Sequence, residues 1–162
     1  MATFTQIGSA VTVGAGGATS ITFSSIPSTY TDLVCLVSGR GTGVYLNIYP
    51  NGSTSNLSGR YLYANGSSAA SGSLNPIMYL DESTQTANTF SSSQIYIPNY
   101  AGSTYKSISV ESVQENNATG AQMIIHAGLW SSTAAITSLV LTVDQNAISQ
   151  YTTAYLYGVS NA

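Results

Sequence analysis

Ser24-Ser25-Ile26-Pro27-Ser28-Thr29-Tyr30-Thr31-Asp32-Leu33-Val34-Cys35-Leu36-Val37 is the stretch that decides the fold class. Just before it, Thr19 to Phe23 alternates polar and apolar residues, as a half-buried strand does. Pro27 cannot donate to a ladder and has a fixed φ, so that strand ends ahead of it. Ser28 and Thr29 favour a turn. Leu33 to Val37 then runs without one polar residue. A run of that kind fits a strand buried on both sides, between a second sheet and another element or subunit.

The rest of the chain repeats this alternation of short strand and turn. Phe4 to Ile7 and Ala10 to Val13 read as short strands joined by Gly8-Ser9, so residues 1–13 form an N-terminal arm or an edge strand. Gly14-Ala15-Gly16-Gly17 is a loop; no Lys and no helix follow it, which excludes a phosphate cradle. Val44, Leu46 and Ile48 alternate with Tyr45, Asn47 and Tyr49, and Asn51-Gly52 turns the chain. Arg60 to Ala64 is a strand closed by Asn65-Gly66, Ser67 to Asn75 a polar, mobile loop, and Pro76 to Leu80 a short strand. Thr89 to Ile97 and Tyr105 to Val113 follow. In the latter, Val113 breaks the alternation, which points to a bulge near Glu111-Ser112. Gln122 to Trp130 is a long strand with Met123, Ile125, Ala127 and Leu129 on one face. Ile136 to Asp144 and Thr152 to Val159 complete the chain. About ten short strands with turns between them describe an all-β antiparallel sandwich, jelly-roll-like, in a single domain over residues 1–162.

Composition narrows the function classes. Only 6% of the residues are charged, against about 25% in ordinary soluble proteins. Polarity comes instead from 26 Ser and 19 Thr. Three scattered cations, Arg40, Arg60 and Lys106, cannot neutralise a phosphate backbone, so no nucleic acid is expected as partner. No apolar run approaches the ~20 residues of a spanning helix, and no membrane role is expected. The N-terminus has neither a basic n-region nor an apolar h-region, so synthesis in a cytoplasm without a secretion signal is expected. Charge keeps proteins apart. A surface this poor in charge therefore reads as one that is covered in the working state; an unusual soluble monomer is the alternative.

Candidates for chemistry are few. The single His126 lies mid-strand, facing opposite Ile125 and Ala127, and no Gly-x-Ser-x-Gly elbow accompanies it. One His and one Cys, Cys35, cannot build a zinc site, and Cys35 reads as a small buried hydrophobe. Asp81-Glu82 lacks the alternating acidic spacing of a calcium loop. Glu111 and Glu115 are the only candidates for a carboxylate pair. No catalytic residue, metal or cofactor is therefore assigned, and no enzyme is expected. Four Asn-x-Ser/Thr sequons, at Asn51, Asn56, Asn65 and Asn117, are what so hydroxyl-rich a chain produces by chance. The twelve tyrosines are more informative. Tyr45 and Tyr49, and Tyr61 and Tyr63, form same-face pairs on successive strands. Were those strands neighbours, the four would make an aromatic platform for a protein interface or for sugar rings, or else would pack against one another under a loop. Phe4 and Ile7 are the matching interface candidates on the N-terminal arm.

Ser25 to Val34, Arg60-Tyr61-Leu62-Tyr63, Ile97-Pro98-Asn99-Tyr100-Ala101, Leu129-Trp130-Ser131 and Leu156-Tyr157-Gly158-Val159 resemble a domain of virion structural proteins of tailed bacteriophages, notably those of aquatic and cyanobacterial hosts. The resemblance extends over nearly the whole chain, and its motifs are turns and core strands, so it carries over no functional residue. It implies a place on the virion. A short chain without a fibre shaft implies a capsid decoration (cement) protein, binding the major capsid protein and grouping as a homotrimer. The alternative it implies is a tail-fibre or spike tip that binds host surface glycans.

Overall fold

The computed structural model describes residues 1–41, 45–75, 77–80, 89–115 and 122–160. Among them thirteen strands form and no helix. They are β1 (Thr3–Gln6), β2 (Val11–Thr12), β3 (Ser20–Phe23), β4 (Asp32–Gly39), β5 (Tyr45–Pro50), β6 (Leu57–Ala64) and β7 (Ala69–Ser73). The second half holds β8 (Ile77–Leu80), β9 (Ser91–Pro98), β10 (Lys106–Gln114), β11 (Gln122–Trp130), β12 (Leu139–Val143) and β13 (Thr153–Ser160).

Two antiparallel sheets result. The larger has the order β1-β13-β4-β9-β10-β11-β6-β7, with β2 also paired to β13; the smaller is β3-β12-β5-β8. Along the chain the path crosses repeatedly from one sheet to the other. The exceptions stay in the larger sheet: β1 and β2, both on β13, and the hairpins β6–β7, β9–β10 and β10–β11, of which β10, β11, β6 and β7 widen the sheet beyond β9. One hydrophobic cluster joins the sheets. Ile21, Leu46, Ile48, Leu139 and Leu141 of the smaller sheet meet Leu33, Cys35, Ile95, Ile108 and Leu156 of the larger, all essentially without solvent contact. That shared core makes the arrangement sandwich-like.

The Ser24–Val37 stretch behaves as its residues dictate. β3 stops at Phe23. Ser25 turns the chain in the left-handed region at φ 55°. Ile26 is buried, and its N–H donates to Thr137 O at 2.9 Å. β4 then runs between β13 and β9. Leu33, Cys35 and Val37 face the core. On the other side Val34 is covered, lying in register between Tyr96 and Tyr157, whereas Leu36 is 38% exposed. Burial on both sides therefore holds for part of the strand.

Two expectations need correction. Residues 67–75, read as a loop, contain β7. Its small residues Ala69-Ala70-Ser71-Gly72-Ser73 have little strand propensity of their own, but β6 offers them a complete ladder. The Asn65 side-chain oxygen sets the turn by accepting from the N–H groups of Ser67 (3.2 Å) and Ser68 (2.9 Å). No bulge interrupts β10: it pairs with β11 without a slip from Lys106↔Trp130 to Gln114↔Gln122. Val113 instead stays in phase and faces outward, 48% exposed, while Ser112 and Gln114 are buried. Of the two alternatives for the N-terminal segment, the edge strand holds, with β1 paired to β13. Val44, Asp81, Glu82 and Asn117 lie outside the described residues.

Candidate interaction surfaces

His126 is fully buried on the inward face of β11. The ring of Tyr61 meets it edge-on, with centroids 6.5 Å apart. Gly59, across the ladder, makes this possible, since a Cβ there would stand 2.0 Å from His126 Nε2. Glu111 points outward from β10 and Glu115 follows that strand's end, both exposed. The thiol of Cys35 is buried, and burial pushes its pKa up to about 12. Among the described residues, no three His, Cys, Asp or Glu side chains come together.

The four interface tyrosines do not form one platform. β5 pairs with β12 and β8 in the smaller sheet, whereas β6 pairs with β11 and β7 in the larger. Tyr45 and Tyr49 face outward from the smaller sheet, since Leu46 and Ile48 take the core side. Between them Asn47 is buried on that outer face. Tyr61 and Tyr63 share the inward face of β6 with Leu57 and Gly59, their centroids 6.5 Å apart. All four tyrosines are half-buried. Spacing within each strand determined the pairs; the sheet to which each strand belongs separated them. Of the two arm residues, Phe4 is 62% exposed and available. Ile7 is not: it belongs to the core cluster, and its N–H donates to Leu156 O at 2.8 Å.

Residues of the Ser25–Val34, Ile97–Ala101 and Leu156–Val159 stretches meet at one corner. The Tyr100 ring is buried, and its hydroxyl donates to Pro27 O. Asp32 accepts from Tyr96 Oη at 2.8 Å and from Asn99 N at 2.9 Å. The hydrogen bond to Asp32, with some burial, holds the Tyr96 phenol above its usual pKa. Tyr30 lies against Gly158, where a Cβ would stand 2.2 Å from the ring. Lys106, buried at the start of β10, turns its ammonium onto the carbonyls of Gly102 (2.7 Å) and Thr104. Burial lowers its pKa. A lysine buried among loop carbonyls has no signature in the sequence. The corner is a structural lock of buried rings and hydrogen bonds.

The least expected surface is the outer side of β10, β11 and β6. Met123, Ile125, Ala127 and Leu129, which share one face of β11, are turned away from the core. Exposure reaches 58% for Met123, 57% for Ile125 and 53% for Leu62 on β6. At the Met123 end the face runs into a groove of about 810 Å³ lined by Ala64, Phe90, Val113 and Met123 among others. Alternation showed these residues to be on one face but could not say which face is inside. Burial of His126, Gly128 and Trp130 on the opposite side decides it. Compared with family models, curated proteins and solved structures, the chain matches none.

Proposed function

We propose that this chain is a non-enzymatic structural protein of a phage virion, a capsid decoration protein that binds the major capsid protein. One observation carries the reading: a sandwich with almost no charge leaves a broad apolar face of its larger sheet exposed. The largest exposed apolar patch of a protein is often its functional surface. Strand order adds support. Without the β6–β7 and β10–β11 hairpins, β1-β13-β4-β9 facing β3-β12-β5-β8 follows a jelly-roll-like order, an architecture that recurs in capsid and lectin domains. Fold alone does not decide function, so the test is location. Cryo-electron microscopy of the virion is expected to show regular copies of this sandwich across the head. Density confined to the tail or fibre ends would overturn the reading and favour the glycan-binding tip. That tip would use the half-exposed Tyr61–Tyr63 pair, and Tyr61→Ala with Tyr63→Ala would then abolish adsorption to the host.

A further inference from the structure

We infer that the outer face of β10, β11 and β6 is the seat of a second copy of this chain, joined through a twofold axis that crosses β11 near Ile125 and Ala127.

The register gives the layout of the face. Ile125 lies between Glu111 on β10 and Leu62 on β6; Ala127 lies between Ser109 and Arg60; Met123 lies between Val113 and Ala64. Five large side chains, Leu62, Val113, Met123, Ile125 and Leu129, are between 37% and 58% exposed there. Together they uncover on the order of 450 Å² of apolar surface, as much as the largest patch of a typical monomer. That is the right size for the apolar centre of a standard interface, which buries about 800 Å² on each partner. The strands beyond supply the polar rim: Ser92 and Gln94 of β9 are exposed on one flank, and Ser71 of β7 on the other.

Charge selects the occupant. Among the described residues, two charged side chains flank the β11 stripe, both exposed and of opposite sign, Glu111 on β10 and Arg60 on β6, while Glu115 lies past the end of β10 at the groove. Glu111 and Arg60 stand on opposite sides of the stripe, one residue pair out of line. A twofold axis over the Ile125–Ala127 segment exchanges the two flanks. It brings Glu111 of each copy toward the partner's Arg60, twice, while the Ile125 side chains meet at the centre. The face is thus complementary to itself, which an isologous contact requires. Opposite charges at the edge of an apolar contact set its register and exclude other ones.

The experiment uses the intact chain alone, so it does not depend on where the protein sits on a particle. Sedimentation equilibrium at tens of micromolar is expected to give twice the chain mass of 16.8 kDa. Ile125→Asp places a carboxylate at the centre, and association should then weaken, with Kd rising about a hundredfold or more. Its circular dichroism should match the wild type, because the side chain lies outside the core. Glu111→Arg and Arg60→Glu should each weaken the dimer, and the double exchange should restore it. A monomeric wild type, or a dimer indifferent to Ile125→Asp, would overturn the seat. So would a double exchange no better than either single one. A stable trimer would overturn it too and would favour threefold grouping.

Discussion

Single side chains in this protein are held by what surrounds them more than by their own type. Cys35 is the clearest case. Its thiol is buried in β4 with its pKa pushed up to about 12, so the reactive thiolate is suppressed. Native protein should resist alkylation by iodoacetamide at pH 8, whereas urea-unfolded protein should react fully; equal rates would show that β4 opens readily. The same shift makes a pH prediction. Unfolded, the thiol releases its proton near its ordinary value of 9.0; folded, it does so only near 12. Between those values the unfolded state binds fewer protons, so stability falls as pH rises, by about 1.4 kcal/mol per pH unit from this group. Cys35→Ala should flatten that part of a denaturation-against-pH curve. Gly158 is equally constrained, because Tyr30 occupies the place of its missing Cβ. Gly158→Ala should cost about 2–4 kcal/mol in chemical denaturation. A cost below about 0.5 kcal/mol would mean that Tyr30 moves aside freely.

Elements follow local pattern where alternation is strong and follow their neighbours where it is weak. β9, β10 and β11 alternate buried and exposed residues over almost their whole length, and all three were legible as strands. β7 was not, since it exists through pairing to β6. β1 and β2 were legible as strands but not as part of the core. Their connection buries Ile7, and the residue after β2, Val13, is also buried. Deleting residues 1–13 should therefore do more than remove an arm. Loss of two buried aliphatic side chains and the β13 ladder should lower stability by roughly 4–6 kcal/mol. An unchanged unfolding midpoint in urea would restore the view of a detachable arm.

For the whole molecule, the scarcity of charge governs how it meets others. At 1 M salt the Debye length is about 3 Å, and ion pairs at a surface are largely screened. A contact made mostly of apolar groups and hydroxyls is nearly insensitive to this. If the protein decorates a shell, particles washed in 1 M NaCl should retain it; release at that salt would point to a contact made of ion pairs. The two ion pairs proposed across the twofold seat lie at its edge and would set register more than strength.

The sequence by itself determined the class of this protein: short strands, antiparallel sheets, a hydroxyl-rich surface, one core. Those properties follow from residue type and from a side-chain period of two, which are local. Tertiary structure alone decided which strands are neighbours and which side of a strand is inside. Tyr45, Tyr49, Tyr61 and Tyr63 alternate as expected, yet two belong to one sheet and two to the other. β11 offers two faces, and the one with Met123, Ile125 and Leu129 is the more apolar, yet His126, Gly128 and Trp130 go inside. The reason is that pairing and facing are set by contacts between residues far apart in the chain. Trp130 is matched to Lys106 and Leu57, and His126 to the space left by Gly59. No window of sequence contains both members of such a pair.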